Sequence, residues 1–176
     1  MKHKITVWQI AGFIFTGLGG VLLHFLYDLS EQNPFAALFS AVNESTWEHM
    51  KLLFFPMALF ALIQSRRFEE TEEFWCIKLY GILTGLILIP VLFYTLNGVF
   101  GPTPDFINIG IFFIAAAASY FLEWKLFTRG NIRCTHSRIA LLILALLAVL
   151  FALFTFYPPK IPLFCDPQTG TYGIAS

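Results

Sequence analysis

The chain has 176 residues, of which 57% are hydrophobic and 12% charged, with eleven basic side chains balancing eleven acidic ones. A soluble domain of this length could not cover so much apolar surface, so the class is integral membrane protein. The neutral balance, with no basic patch interleaved with aromatics, excludes nucleic acid as a partner. Membrane lipid is the partner the composition implies.

Each membrane helix needs about 20 largely apolar residues. Five such windows follow in order at 5–27, 44–64, 74–95, 106–124 and 139–157, joined by short connections and followed by a tail at 158–176. The runs are continuously apolar, so a β-barrel is excluded. The prediction is an all-α bundle of five transmembrane helices, in which residues 1–176 form a single membrane domain.

The first window follows Lys2 and Lys4 but is too long for a signal peptide, and no small-x-small cleavage site follows it, so it reads as a retained helix. Basic residues gather before the first span, after the second (Arg66, Arg67) and between the fourth and fifth (Lys125, Arg129, Arg133, Arg138). The other two connections have no Lys or Arg. By the positive-inside rule the N-terminus is cytoplasmic and the C-terminal tail outside. Trp8, Trp75 and Trp124 then form an inner belt, and Tyr27, Trp47, Tyr94 and Tyr157 an outer one.

Between the first two spans, Asn33-Pro34 marks a turn, and the apolar stretch 35–42 reads as a short half-helix on the outer side. A re-entrant backbone there requires cover from protein or water. Asn43 or Ser40 is expected to cap the second span, with Glu44 in its first turn. Pro56 and Pro90 are expected to kink the second and third spans. Thr16-x-x-x-Gly20, Gly81-x-x-x-Gly85 and Ala115 to Ser119 are close-packing surfaces, read as intramolecular, with a homo-oligomer as the alternative. The charged turn after Arg66-Arg67 is a solvated loop whose acids pair with the arginines. Cys76 and Cys134 fall on the cytoplasmic side and Cys165 on the outer side, so no disulfide is expected. Glu123 reads as interfacial, His136 as solvated and His3 as terminal. The tail carries enough apolar residues to pack back on the outer face. No internal repeat of the kind found in many transporters is present.

The polar chemistry lies where a membrane helix should carry none. Asn43-Glu44-Ser45-Thr46-Trp47-Glu48-His49-Met50-Lys51 opens the second span, while His24 and Asp28 close the first. Ionisable groups near the bilayer centre cost about 2.5–3.5 kcal/mol each on insertion scales, so such a set is read as a functional site. At about 100° per residue, Glu44, Glu48 and Lys51 share a face and His49 lies a quarter-turn from Glu48. His24 and Asp28 share a face of the first span at the same depth. Tyr94, Asn97, Asp105 and Asn108 reach that level from later spans. The candidate binding set is therefore His24, Asp28, Asn43, Glu44, Trp47, Glu48, His49 and Lys51, converging in one outer cavity lidded by the tail.

Three chemistries fit this set. His24, Asp28 and His49 with Glu48 or Glu44 are a potential ligand set for a divalent metal such as zinc, in an intramembrane enzyme acting on a lipid or membrane-embedded substrate. The carboxylates beside Lys51 suit an ion- or proton-coupled path. Lys51 and the histidines suit an anionic solute or lipid headgroup. Binding or transport of a small polar solute, ion or headgroup is the favoured reading. The metal enzyme is the alternative, and an accessory subunit of a membrane complex the third. Residue by residue the plainer readings are a local Glu48–Lys51 bridge, a snorkelling Lys51 and an interfacial Trp47. Neither H-E-x-x-H nor its inverse is present.

His24-Phe25-Leu26-Tyr27-Asp28, the Asn43 to Lys51 run and the tail Ile161-Pro162-Leu163-Phe164-Cys165-Asp166-Pro167 together resemble an uncharacterised family of small multipass membrane proteins, chiefly from Gram-positive bacteria. The resemblance covers the whole chain and implies a bacterial cytoplasmic membrane location. It implies no activity.

Overall fold

A computed structural model describes residues 2–68, 72–130, 134, 136 and 137–174. The described residues form six α-helices and no strand: α1 (Lys2–Leu29), α2 (Pro34–Ala37), α3 (Thr46–Ser65), α4 (Phe74–Phe100), α5 (Asp105–Arg129) and α6 (Ser137–Phe156), followed by a 3-10 turn, Pro162–Phe164. All but α2 are long and apolar enough to cross a membrane, as in a multipass membrane protein. The stretch expected as a half-helix forms the single turn α2, capped by Asn33, which the Leu38 and Phe39 amides prolong by turn-type bonds to the Phe35 and Ala36 carbonyls.

Consecutive long helices run in alternating directions. α1 packs on α3 and α5, α4 on α5, α3 and α6, and α3 also on α6. The least hydropathic of the five, α3, is also the most buried. That inversion is physical: a helix walled by other helices can carry Glu48, Lys51 and Gln64, because protein supplies the surroundings that lipid cannot.

Small residues set the contacts. A Cβ on Gly12 would overlap Phe60 and Tyr120, one on Gly20 would overlap Phe112, and one on Gly85 would overlap Leu53 and Ser119. Thr16 and Tyr120 share a buried hydrogen bond of 2.8 Å across the α1–α5 contact. The close-packing surfaces are thus spent inside the chain. Pro56 and Pro90 both lie within uninterrupted helices.

Cys76 and Cys134 are joined by a disulfide, with Cα atoms 6.2 Å apart. This corrects the expectation of no disulfide: Cys134, between α5 and α6, lies within bonding range of Cys76 in the first turn of α4, at the same bundle end. Of the charged turn, residues 69–71 lie outside the described residues, as does Arg133.

Candidate functional site

Local backbone chemistry divides the polar run into two directions. Asn43 Oδ1 accepts the Ser45 amide at 2.9 Å, and Ser45 is the N-cap of α3, its hydroxyl accepting the Glu48 amide. Ser45-Thr46-Trp47-Glu48 has the spacing of a capping box, although Glu48 turns inward instead of reaching back. The cap therefore falls later than expected on Asn43 or Ser40. Glu44 precedes the helix and does not share a face with Glu48 and Lys51.

The first direction opens a cleft at the end of the bundle remote from the N-terminus. Glu44 stands between two imidazoles: His49 Nε2 lies 3.4 Å from Oε2 and His24 Nε2 3.9 Å from Oε1. The two rings are 5.7 Å apart. His49 Nδ1 lies 3.0 Å from the Ser45 carbonyl, to which it can only donate, so Nε2 is the nitrogen turned toward Glu44. These three side chains are half-buried. They line a cavity of about 400 Å³ together with Asp105, Asn108 and Gln168, against an apolar wall that includes Phe25 and Phe112. Its described lining carries two carboxylates, two imidazoles and two amides, and neither Lys nor Arg.

The second direction is sealed. Lys51 Nζ contacts Glu48 Oε2 at 2.6 Å, donates to Thr155 Oγ1 at 2.8 Å and to the Ala37 carbonyl at 2.9 Å. An ammonium has three donors and all three are used. Glu48 accepts further from the Val42 amide and from Thr155. Both side chains are within 2% of fully buried. The pair ties α3 to α6 and to the connection bearing α2, where Phe39 meets Phe55 edge-to-face with ring centres 5.1 Å apart.

A second sealed pair lies toward the other end. Lys78 of α4 meets Glu123 of α5 at 2.5 Å, both almost wholly buried. Four rings, Phe60, Phe74, Tyr120 and Phe127, surround the ammonium at 5.6–6.0 Å, a cation–π setting that compensates part of its desolvation. Gly81 makes room, since a Cβ there would overlap the Glu123 carboxyl. Glu123 is therefore an interior residue and not an interfacial one.

The set expected to converge is thus divided. His24, Glu44 and His49 come together, and Gln168 of the tail lines the same cavity. Asp28 is exposed, although it lies one turn past His24 on α1 and next to the buried Tyr27. Glu48 and Lys51 belong to the sealed pair, so Lys51 neither snorkels nor faces the cleft. Asn43 donates to the Gly173 carbonyl at 2.9 Å and anchors the tail. Trp47 is no interfacial anchor: it is buried among Phe151, Phe154 and Phe164. Tyr94 pairs loosely with Thr46 at 3.5 Å, and Asn97 binds Thr103. Among the described residues, no three His, Cys, Asp or Glu side chains are grouped as metal ligands. Sequence reasoning missed Lys78; its signal was a lone Lys four residues into the apolar window 74–95, with Glu123 near the end of the window 106–124 as the one interior acid of α5.

The chain belongs to a family of unknown function (DUF6512), whose sequence model matches residues 1–174. No curated protein and no solved structure matches it.

Proposed function

We propose that this member of the family binds, and carries across or into the membrane, a small cationic or hydrogen-bond-donating solute held in the cleft of His24, Glu44 and His49. The observation that carries the reading is the flanking of one half-exposed carboxylate by two imidazoles. A second carboxylate, Asp105, lines the same cavity with no Lys or Arg among its described residues. Such a lining attracts positive charge and repels anions, which favours a cation over the anionic headgroup also considered from sequence. The imidazole nitrogens can exchange protons with the solute or the medium, as a coupled path requires.

The proposed setting is a bacterial cytoplasmic membrane, with residues 1–176 acting as one membrane unit. In this reading the N-terminus is inside, the tail outside, and the segment at 34–42 re-entrant from the outer face. The concentration of Lys and Arg at one bundle end supports that orientation. The depth of Phe39, packed edge-to-face on a residue nine positions into α3, supports the re-entrant course.

A zinc-dependent intramembrane enzyme is the second reading. It is favoured by one observation, the His49 Nδ1 bond to a backbone carbonyl, which leaves Nε2 free as in many metal-ligating histidines. His24, His49 and Glu44 would hold the ion and activate a water. The separation of Glu48 and Asp28 from this group weighs against it.

Thermal shift of the purified full chain in mild detergent tests the first reading, with tetramethylammonium, spermidine and sodium set against acetate, phosphate and glutamate. At least one cationic probe should raise the melting temperature in the wild type and fail to do so in Glu44→Gln. Equal stabilisation by the anions would sink the reading. Stoichiometric zinc on elemental analysis, lost in His24→Ala or His49→Ala, would transfer the cleft to the enzyme.

A further inference from the structure

A second site lies along the side of α3 away from the cleft and reaches the amino-terminal end of the bundle at Leu62, Trp75 and Leu141. An apolar groove of about 830 Å³ runs between α1, α3 and α6; Leu18, Leu22, Leu59, Leu62, Leu141 and Ala148 are among its walls. On α3 it extends from Phe54 to Leu62, which at about 1.5 Å per residue is roughly 12 Å along the axis. The Phe39–Phe55 pair stands at the far end of it.

Trp75 is shared by this groove and by a cavity of about 870 Å³ whose lining includes Ser65, Arg66, His136, Ser137 and Arg138. The register makes the two continuous. Arg66 follows Leu62 by one helical turn on α3, and Arg138 precedes Leu141 by one turn on α6. Glu72 also lines the cavity, so among the described lining residues two guanidiniums face one carboxylate, an excess of positive charge that one phosphate monoanion would offset. Nothing caps α6 by a side chain, and the first amides of a helix complement an anion.

We infer that this continuous surface binds an anionic diacyl phospholipid, its phosphate between Arg66 and Arg138 and its chains along the groove. The charge selects the occupant: guanidiniums at one end of an apolar groove match a phosphate joined to acyl chains, which a plain apolar partner helix does not carry. A basic pocket at the cytoplasmic end of membrane helices is a general recognition pattern for such headgroups. The site is independent of the cleft and shares none of its residues.

Native mass spectrometry of the delipidated full chain, titrated with dioleoyl phosphatidylglycerol or dioleoyl phosphatidylcholine, tests the assignment. Wild type should retain the glycerol lipid about tenfold better than the choline lipid. The Arg66→Gln/Arg138→Gln double variant should lose that preference, and Ala148→Trp, which fills the groove, should reduce retention of both lipids. Glu44→Gln should change neither. Equal retention of the two lipids by wild type overturns the inference, and needs no variant to fold. So does a preference that survives the double variant, displacement of the lipid by soluble glycerol 3-phosphate at equal concentration, or a dimer that disappears in Ala148→Trp.

Discussion

Lys51 lies 2.6 Å from Glu48, one helical turn away and sealed from solvent, while Glu44, four residues earlier, faces the two histidines instead. One short run of sequence thus supplies a structural ion pair and a chemical site on opposite sides of a helix start. The sealed pair bears on stability, and the half-exposed triad on ligand. Their mutations should separate accordingly.

Lys51→Met removes the cation and leaves Glu48 buried and uncompensated, so the melting temperature should fall by an amount corresponding to about 3–5 kcal/mol. Glu48→Gln in the same chain should restore part of that loss. A coupling of about 0.5–3 kcal/mol in a double-mutant cycle, followed by thermal unfolding in detergent, is the expected result. Strict additivity would mean that the two charges do not act as a pair.

Three glycines of α4 should behave differently. Gly98 has open space around it, and Gly98→Ala should stabilise the helix by about 0.4–1 kcal/mol through the unfolded chain. Gly81→Ala and Gly85→Ala push a Cβ into Glu123 and into Leu53 and Ser119, and each should cost about 1–3 kcal/mol as overpacking does. Unfolding midpoints of the three variants check the ordering.

Trp47 and Asn43 hold the tail by different means, one by packing on Phe164 and one by the bond to Gly173. Trp47→Ala should cost about 3–5 kcal/mol. Asn43→Ala should cost about 1 kcal/mol and speed limited proteolysis between residues 166 and 170. Since Gln168 lines the cleft, the latter variant should also weaken any cation-induced thermal shift. Unchanged proteolysis would detach the tail from the site.

The helices were legible because five apolar runs have few other solutions in lipid. The five windows match α1, α3, α4, α5 and α6 to within a few residues at each end. The ends moved because helices continue into polar and aromatic residues that an apolar window discards, as at Phe100 and Arg129. The meeting of His24, Glu44 and His49 at one bundle end was legible too. The division of the polar set was not, because the change of direction at Ser45 depends on which of several capping residues wins. Only the packing of α6 and α2 on α3 shows that Thr155 and Ala37 accept the remaining Lys51 hydrogen bonds. The Lys78–Glu123 pair was hidden for a similar reason: its partners are 45 positions apart, and nothing local links them.

The three cysteines offer a check on fold and orientation together. Denatured, unreduced protein should titrate as one free thiol, Cys165, and reduced protein as three. A cytoplasmic position for the basic end implies that the Cys76 and Cys134 thiols are held reduced in living cells and pair once exposed to an oxidising medium. Alkylation before lysis should therefore trap all three thiols. If the disulfide instead survives alkylation in intact cells, the basic end faces an oxidising compartment and the proposed orientation is reversed.

The central claim is that His24, Glu44 and His49 act as one site, and site-resolved histidine modification tests it most directly. The chain has four histidines, and the exposed His3 and His136 serve as internal references. Diethylpyrocarbonate labelling is followed at each ring by mass spectrometry with and without tetramethylammonium, spermidine or sodium. The account predicts that at least one of these cations slows labelling of His24 and His49 together, leaves His3 and His136 unchanged, and loses that effect in Glu44→Gln. Protection of neither ring by any of the three cations, or of one ring without the other, would contradict it.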